Sequence, residues 1–95
     1  MIESQLQQLG IELPPPPPPG GIYHPVVITG NLLFVSGQPP QRNDGSLIKG
    51  IIGKDMTLEE GKAAARQTGL TMLATIKSQI GDLNQIKRLV KTLGM

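Results

Sequence analysis

The residues best suited to chemistry stand at Ser36-Gly37-Gln38, where a hydroxyl, a backbone left open by glycine and a side-chain amide follow one another. A corner of that kind can hold a small polar ligand. Tyr23, the single tyrosine, follows a glycine pair and either packs at a strand start or adds a phenol to the same site. Ser36 and Gln38 read equally well as hydrogen-bonding residues at a strand end. His24 has no acidic or cysteine partner in a recognised spacing and sits beside Pro25, which reads as a surface histidine rather than a base or metal ligand. Glu59 and Glu60 suit helix capping and the helix dipole, and Met56 and Met72 suit packing. With no cysteine, disulfides, thiolate metal sites and a cysteine nucleophile are excluded, and the sequence carries no cofactor motif.

The elements that position this corner are legible from residue pattern. Val26 to Thr29 are β-branched, Leu32 to Val35 form a second apolar run, and Gly30-Asn31 between them tolerates the positive φ of a tight turn, so a hairpin is expected that ends on Ser36. Thr57-Leu58-Glu59-Glu60 fits a capping box and opens a helix through Ile80, with Leu58, Ala65, Met72, Leu73, Ile76 and Ile80 as its expected apolar face. Gly81 should end that helix, and Asp82 should cap a short turn carrying Leu83 and Ile86. Residues 89–93 then read as a further strand. Upstream, residues 1–13 hold a short docking helix with Ile2, Leu6 and Leu9 at helical spacing. The prolines that follow, within a 14–21 spacer, impose an extended polyproline II form; with no flanking basic residue they read as a stiff connector rather than a ligand for a proline-binding domain. Asn43-Asp44-Gly45 marks a tight turn in a surface loop, and Leu47 to Ile52 suggest an extended return. The order predicts an α+β fold, a β-β-α-β layer with one helix on one face of a mixed sheet, the last strand returning by a right-handed crossover.

Composition limits the function classes. Ninety-five residues allow one domain with a thin core, and 2% aromatic content leaves that core to aliphatic side chains. Nine basic and seven acidic residues are too balanced to argue for nucleic acid, and the one basic cluster, Lys87, Arg88 and Lys91, lacks aromatics on which bases could stack. No run is long enough to span a bilayer and no basic, apolar leader opens the chain, so a cytoplasmic location is expected.

Tyr23, the Gly30-Asn31 turn and the Leu33-Phe34-Val35-Ser36-Gly37-Gln38 strand end, followed by the long helix, resemble the reactive-intermediate deaminase family, also called YjgF or endoribonuclease L-PSP. Ile2-Glu3-Ser4 and the Leu9 to Pro14 stretch are similar to its chorismate-mutase-like subgroup. The resemblance implies a chorismate-mutase-like fold, a homotrimer with clefts between subunits, and hydrolysis of reactive enamines or imines to keto acids and ammonia. It implies a catalytic and substrate-binding role for Tyr23 and Ser36, and a substrate-binding role for Gly37. The arginine that would clamp the substrate carboxylate lies, in the family, in the second half of the domain; Arg42, Arg66 and Arg88 do not match its motif. Residues 22–95 are thus expected to be the N-terminal part of such a domain, inactive when alone, with a non-catalytic ligand-binding or regulatory member as the alternative. A ribonuclease role finds no catalytic signature among these residues.

Overall fold

The computed structural model describes residues 1–18 and 21–94; Pro19, Gly20 and Met95, which belong to the proline spacer and the chain end, lie outside the described residues. The α+β class holds. Helix α1, Ile2–Gln8, precedes a hairpin of strands β1, Val26–Thr29, and β2, Leu32–Val35, and helix α2, Leu58–Ile80, is followed by a 3-10 turn at Leu83–Gln85.

The hairpin forms for the reasons its sequence offers. β1 and β2 pair antiparallel with Val26 opposite Val35 and Thr29 opposite Leu32, which leaves Gly30-Asn31 as a two-residue turn. Gly30 has φ +56 and, among the described residues, no non-glycine residue has positive φ, a pattern that suits a turn with glycine at its first central position. The capping box of α2 also forms: the Glu60 N–H donates to Thr57 Oγ1 at 3.1 Å, and the Thr57 N–H donates to Glu60 Oε1 at 3.1 Å. At the other end, Gly81 adopts φ +86 and its N–H returns to the Lys77 carbonyl. The Asn84 N–H donates to the Asp82 carboxylate at 2.8 Å, as the capping reading of Asp82 requires.

Two expectations are corrected. Residues 89–93 form no strand, so the sheet is a two-stranded antiparallel ribbon among the described residues and not a mixed sheet. Leu89, Val90 and Leu93 remain exposed, because β-propensity secures a strand only where a neighbouring edge offers hydrogen bonds. The buried face of α2 differs in part, since Ile76 is buried and Met72, Leu73 and Ile80 are half-buried as expected, while Leu58 is 63% exposed and Ala65 lies in solvent. Its buried residues are Gly61, Thr71, Ala74, Thr75 and Ile76. Part of that face meets polar groups at Gln38 and Gln41, which the hydroxyls of Thr75 and Thr71 satisfy where leucines could not, and Gly61 lies against Ile52. Asn43-Asp44-Gly45 does form a turn, closed by the Arg42 N–H on the Ser46 carbonyl at 2.7 Å, and Gln41 and Leu47 bridge its base.

The core is correspondingly thin. Among the described residues the buried hydrophobic core is Ala74, Ile76 and Leu83, of which only Leu83 is fully buried, matched by the buried polar Gln41, Thr71 and Thr75. The radius of gyration, 14.0 Å, exceeds the roughly 12.5 Å of a compact chain of this length. Val27, Ile28, Leu32 and Phe34 on the hairpin are all largely exposed. α1 is fastened at the far end of the molecule: its Glu3 N–H donates to Asn84 Oδ1 at 3.0 Å, the Glu3 carboxylate accepts from the Leu83 N–H at 3.1 Å, and Lys77 Nζ lies 2.9 Å from Glu3 Oε1. Lys77 above all, and then Leu83, hold the Glu3 carboxyl below its ordinary value.

Candidate functional site

The corner is built by continuing the hairpin ladder one rung past β2. The Ser36 N–H donates to the Pro25 carbonyl at 2.9 Å, and the Ser36 hydroxyl donates to the same oxygen at 3.3 Å. Gln38 turns back, its Nε2 donating to the Ser36 carbonyl at 3.3 Å, while its Oε1 accepts from Thr75 Oγ1 of α2 at 3.1 Å. Gln38 is therefore a tie between the corner and the helix. Gly37, between them, has no atom within 4 Å of the place a Cβ would take.

A shallow cleft of about 190 Å³ opens beside this corner, lined by Pro17, Pro18, Tyr23, Pro25, Gly37, Gln38 and Pro39. The structure thus brings Tyr23 and Gly37 to one cleft from opposite ends of the hairpin. Ser36 stands next to it without lining it, its hydroxyl directed at Pro25, whose ring is part of the wall. Among the described residues that line the cleft, none carries a charge. Arg42 is occupied elsewhere, donating to Ser46 Oγ at 3.1 Å and to the Leu47 carbonyl at 3.3 Å. A wider groove near the N-terminus, between α1 and Lys77, contains Glu3 and Lys77, which pair with each other.

A second layer holds the cleft, and the sequence reading missed it. Gln41 is 7% exposed. Its Nε2 donates to the Pro15 carbonyl at 2.6 Å, its N–H meets Thr71 Oγ1 at 3.3 Å, and its carbonyl accepts from Gln67 Nε2. One helix face therefore ties down both walls, through Thr75 to Gln38 and through Thr71 and Gln67 to Gln41. The signal was present: Thr68, Thr71, Thr75 and Ser78 recur at helical spacing, a hydroxyl stripe that a search for apolar periodicity passes over.

Comparison with known proteins places this arrangement in context. The "YjgF/chorismate mutase-like, putative endoribonuclease" family matches residues 3–95. Protein TCP17 of Trypanosoma cruzi is 39% identical over 90 residues, which span 95% of this chain and 56% of that protein. The crystal structure of a "putative endoribonuclease" from Shewanella oneidensis MR-1 superposes with a TM-score of 0.84 at 40% identity, over 90% of this chain and 57% of that one. Atu1372 from Agrobacterium tumefaciens, a protein of unknown function, superposes with a TM-score of 0.77 at 36% identity, over 94% of this chain and 54% of that one. The chain therefore spans a little over half the length of each of these relatives. Among the described residues no helix is long and apolar enough to cross a membrane. With the hairpin, its corner and the capped helix all inside the matched region, the chain belongs to the YjgF/chorismate mutase-like family.

Proposed function

We propose that this chain supplies one wall of a site for hydrolytic deamination, in which a small enamine or imine is converted to a keto acid and ammonia. The observation that carries the reading is the meeting of Tyr23 and Gly37 in one cleft. Imine hydrolysis needs little from a protein beyond a positioned water, a hydrogen-bond donor to the nitrogen, and a cation for the carboxylate. In this reading the Tyr23 phenol donates to the nitrogen or orients the water, and the open backbone at Gly37 lets the substrate approach closely. Ser36 holds the Pro25 carbonyl in place and keeps oxygen lone pairs for a water or substrate N–H.

The carboxylate clamp belongs, on this proposal, to the remainder of the domain or to a neighbouring subunit of a homotrimer. That arrangement would also cover the exposed hairpin face. A second, non-catalytic reading draws on the same cleft: the Ser36 hydroxyl and the Gln38 amide are already engaged within the chain, which suits a site that recognises a small carboxylate without turning it over.

The test is ammonia release from imines generated in place by an amino-acid dehydratase, with subunit number followed by light scattering. Deamination predicts faster release and a trimer, with Tyr23→Phe lowering the rate by about 100-fold. Keto-acid binding without accelerated release selects the non-catalytic reading. A Tyr23→Phe variant that releases ammonia at the unsubstituted rate sinks the role of the phenol.

A further inference from the structure

The proline run does more than connect α1 to the hairpin. Polyproline II has three residues per turn, so Pro14 and Pro17 share one side of the run. Pro14 is buried and Pro17 half-buried, while Pro15 and Pro16 are exposed. The inward side thus ends at the cleft, where Pro17 and Pro18 face Gly37, Gln38 and Pro39. The run is not free to drift from that place, because the Pro15 carbonyl accepts the 2.6 Å hydrogen bond of Gln41 Nε2. Gln41 in turn is fixed through its own backbone by Thr71 and Gln67 of α2. A rigid ring on a tethered backbone makes a wall that yields little to a larger ligand. The cleft is small, about 190 Å³ against the roughly 300–1,000 Å³ usual for ligand pockets, so a bulkier ligand side chain presses on this wall first.

We infer that Pro17 is a specificity-determining residue that limits the side chain of the ligand, and that Gln41 is the positioning residue that sets this wall. The inference rests on the proposed ligand site at Tyr23 and Gly37, and it holds whether that site catalyses or only binds. It assigns the run a selective role that a passive spacer would lack.

The test titrates the full chain with 2-oxobutanoate and with 2-oxo-4-phenylbutanoate, following the Gly37 amide by nuclear magnetic resonance. The unsubstituted chain is expected to favour the small probe. Pro17→Ala, which trims the wall, and Gln41→Met, which keeps the side-chain shape and the backbone bonds of Gln41 but removes the donor to Pro15, should each shift that preference toward the bulky probe by about 10-fold. Pro16→Ala, on the outer side of the run, should leave the preference unchanged. Equal ratios for Pro16→Ala and Pro17→Ala would overturn the inference, as would an unshifted Gly37 amide with both probes. Size-selective binding by the chain leaves the wall standing, and deamination is refuted only if a form that also carries the carboxylate clamp releases no ammonia from imines, so the two ideas fail separately.

Discussion

Replacing Thr71 by valine keeps the shape of a fully buried side chain and deletes one hydroxyl. That oxygen lies 2.9 Å from the Gln67 carbonyl and 3.4 Å from the Gln41 carbonyl, and it receives the Gln41 N–H at 3.3 Å. A hydroxyl has a single proton, so it donates to Gln67 at the shorter distance and accepts from Gln41. The substitution strands neither partner. The Gln41 N–H keeps an acceptor in the Pro39 carbonyl at 3.0 Å, and the Gln67 carbonyl, inside α2, keeps the helical backbone N–H of the next turn. The loss should therefore be that of net hydrogen bonds, about 1 kcal/mol, and not the roughly 3 kcal/mol of an orphaned buried donor. For a chain of this length that is about 4–8 °C in Tm. Thr71→Ala also removes a methyl group from a packed position and should cost about 1 kcal/mol more. Thermal and urea unfolding followed by circular dichroism measure both. Valine equal to the unsubstituted chain would mean the hydroxyl stripe does not hold the 38–41 segment; a valine loss of about 3 kcal/mol would mean that Pro39 and the α2 backbone do not share the load.

Two further outcomes follow from packing and charge. Glu3 has its carboxyl held low by Lys77 and Leu83, so the clasp it makes is present above the ordinary glutamate range and lost as pH falls through the lowered value; the Leu83 amide signal should titrate with a midpoint below that range, and Glu3→Gln should abolish the step. A midpoint at or above the ordinary value contradicts the clasp. At Gly61, an added Cβ would stand 2.5 Å from Ile52 Cδ1 and 2.9 Å from its Cγ1, so the roughly 1 kcal/mol helix gain of Gly61→Ala should be cancelled by displacing Ile52. In an Ile52→Ala background the same change should stabilise by about 1 kcal/mol, and additivity in that double-mutant cycle would show the two side chains do not meet.

The local elements were legible because each carries its own cause. The hairpin follows from β-branched residues around Gly30-Asn31, α2 from a capping box and a glycine stop, and the 3-10 turn from Asp82. The buried face of α2 was legible only in part by apolar pattern: Ile76 lies inside as expected, but Thr71 and Thr75 are buried because they meet polar groups of Gln41 and Gln38. Residues 89–93 carry strand-like side chains, but a strand is a relation between two edges, and one sequence segment specifies only its own half of that relation. At the candidate site, Tyr23 and Gly37 were singled out by the family resemblance and share one cleft, while Pro17 and Gln41 were not singled out. Their part in the cleft depends on a hydrogen bond between residues 26 positions apart, which no local pattern encodes.

The Glu3 clasp joins residues 80 and 81 positions apart, whereas Gln41 and Thr71 are 30 apart. From an open chain, closing the longer span costs about 1 kcal/mol more in loop entropy, so the Glu3 clasp is the costlier of the two contacts to form first. A contact that forms after the rate-limiting step leaves folding speed alone and governs how fast the native state comes apart. If the clasp is such a contact, Glu3→Gln will speed unfolding and leave the refolding rate unchanged.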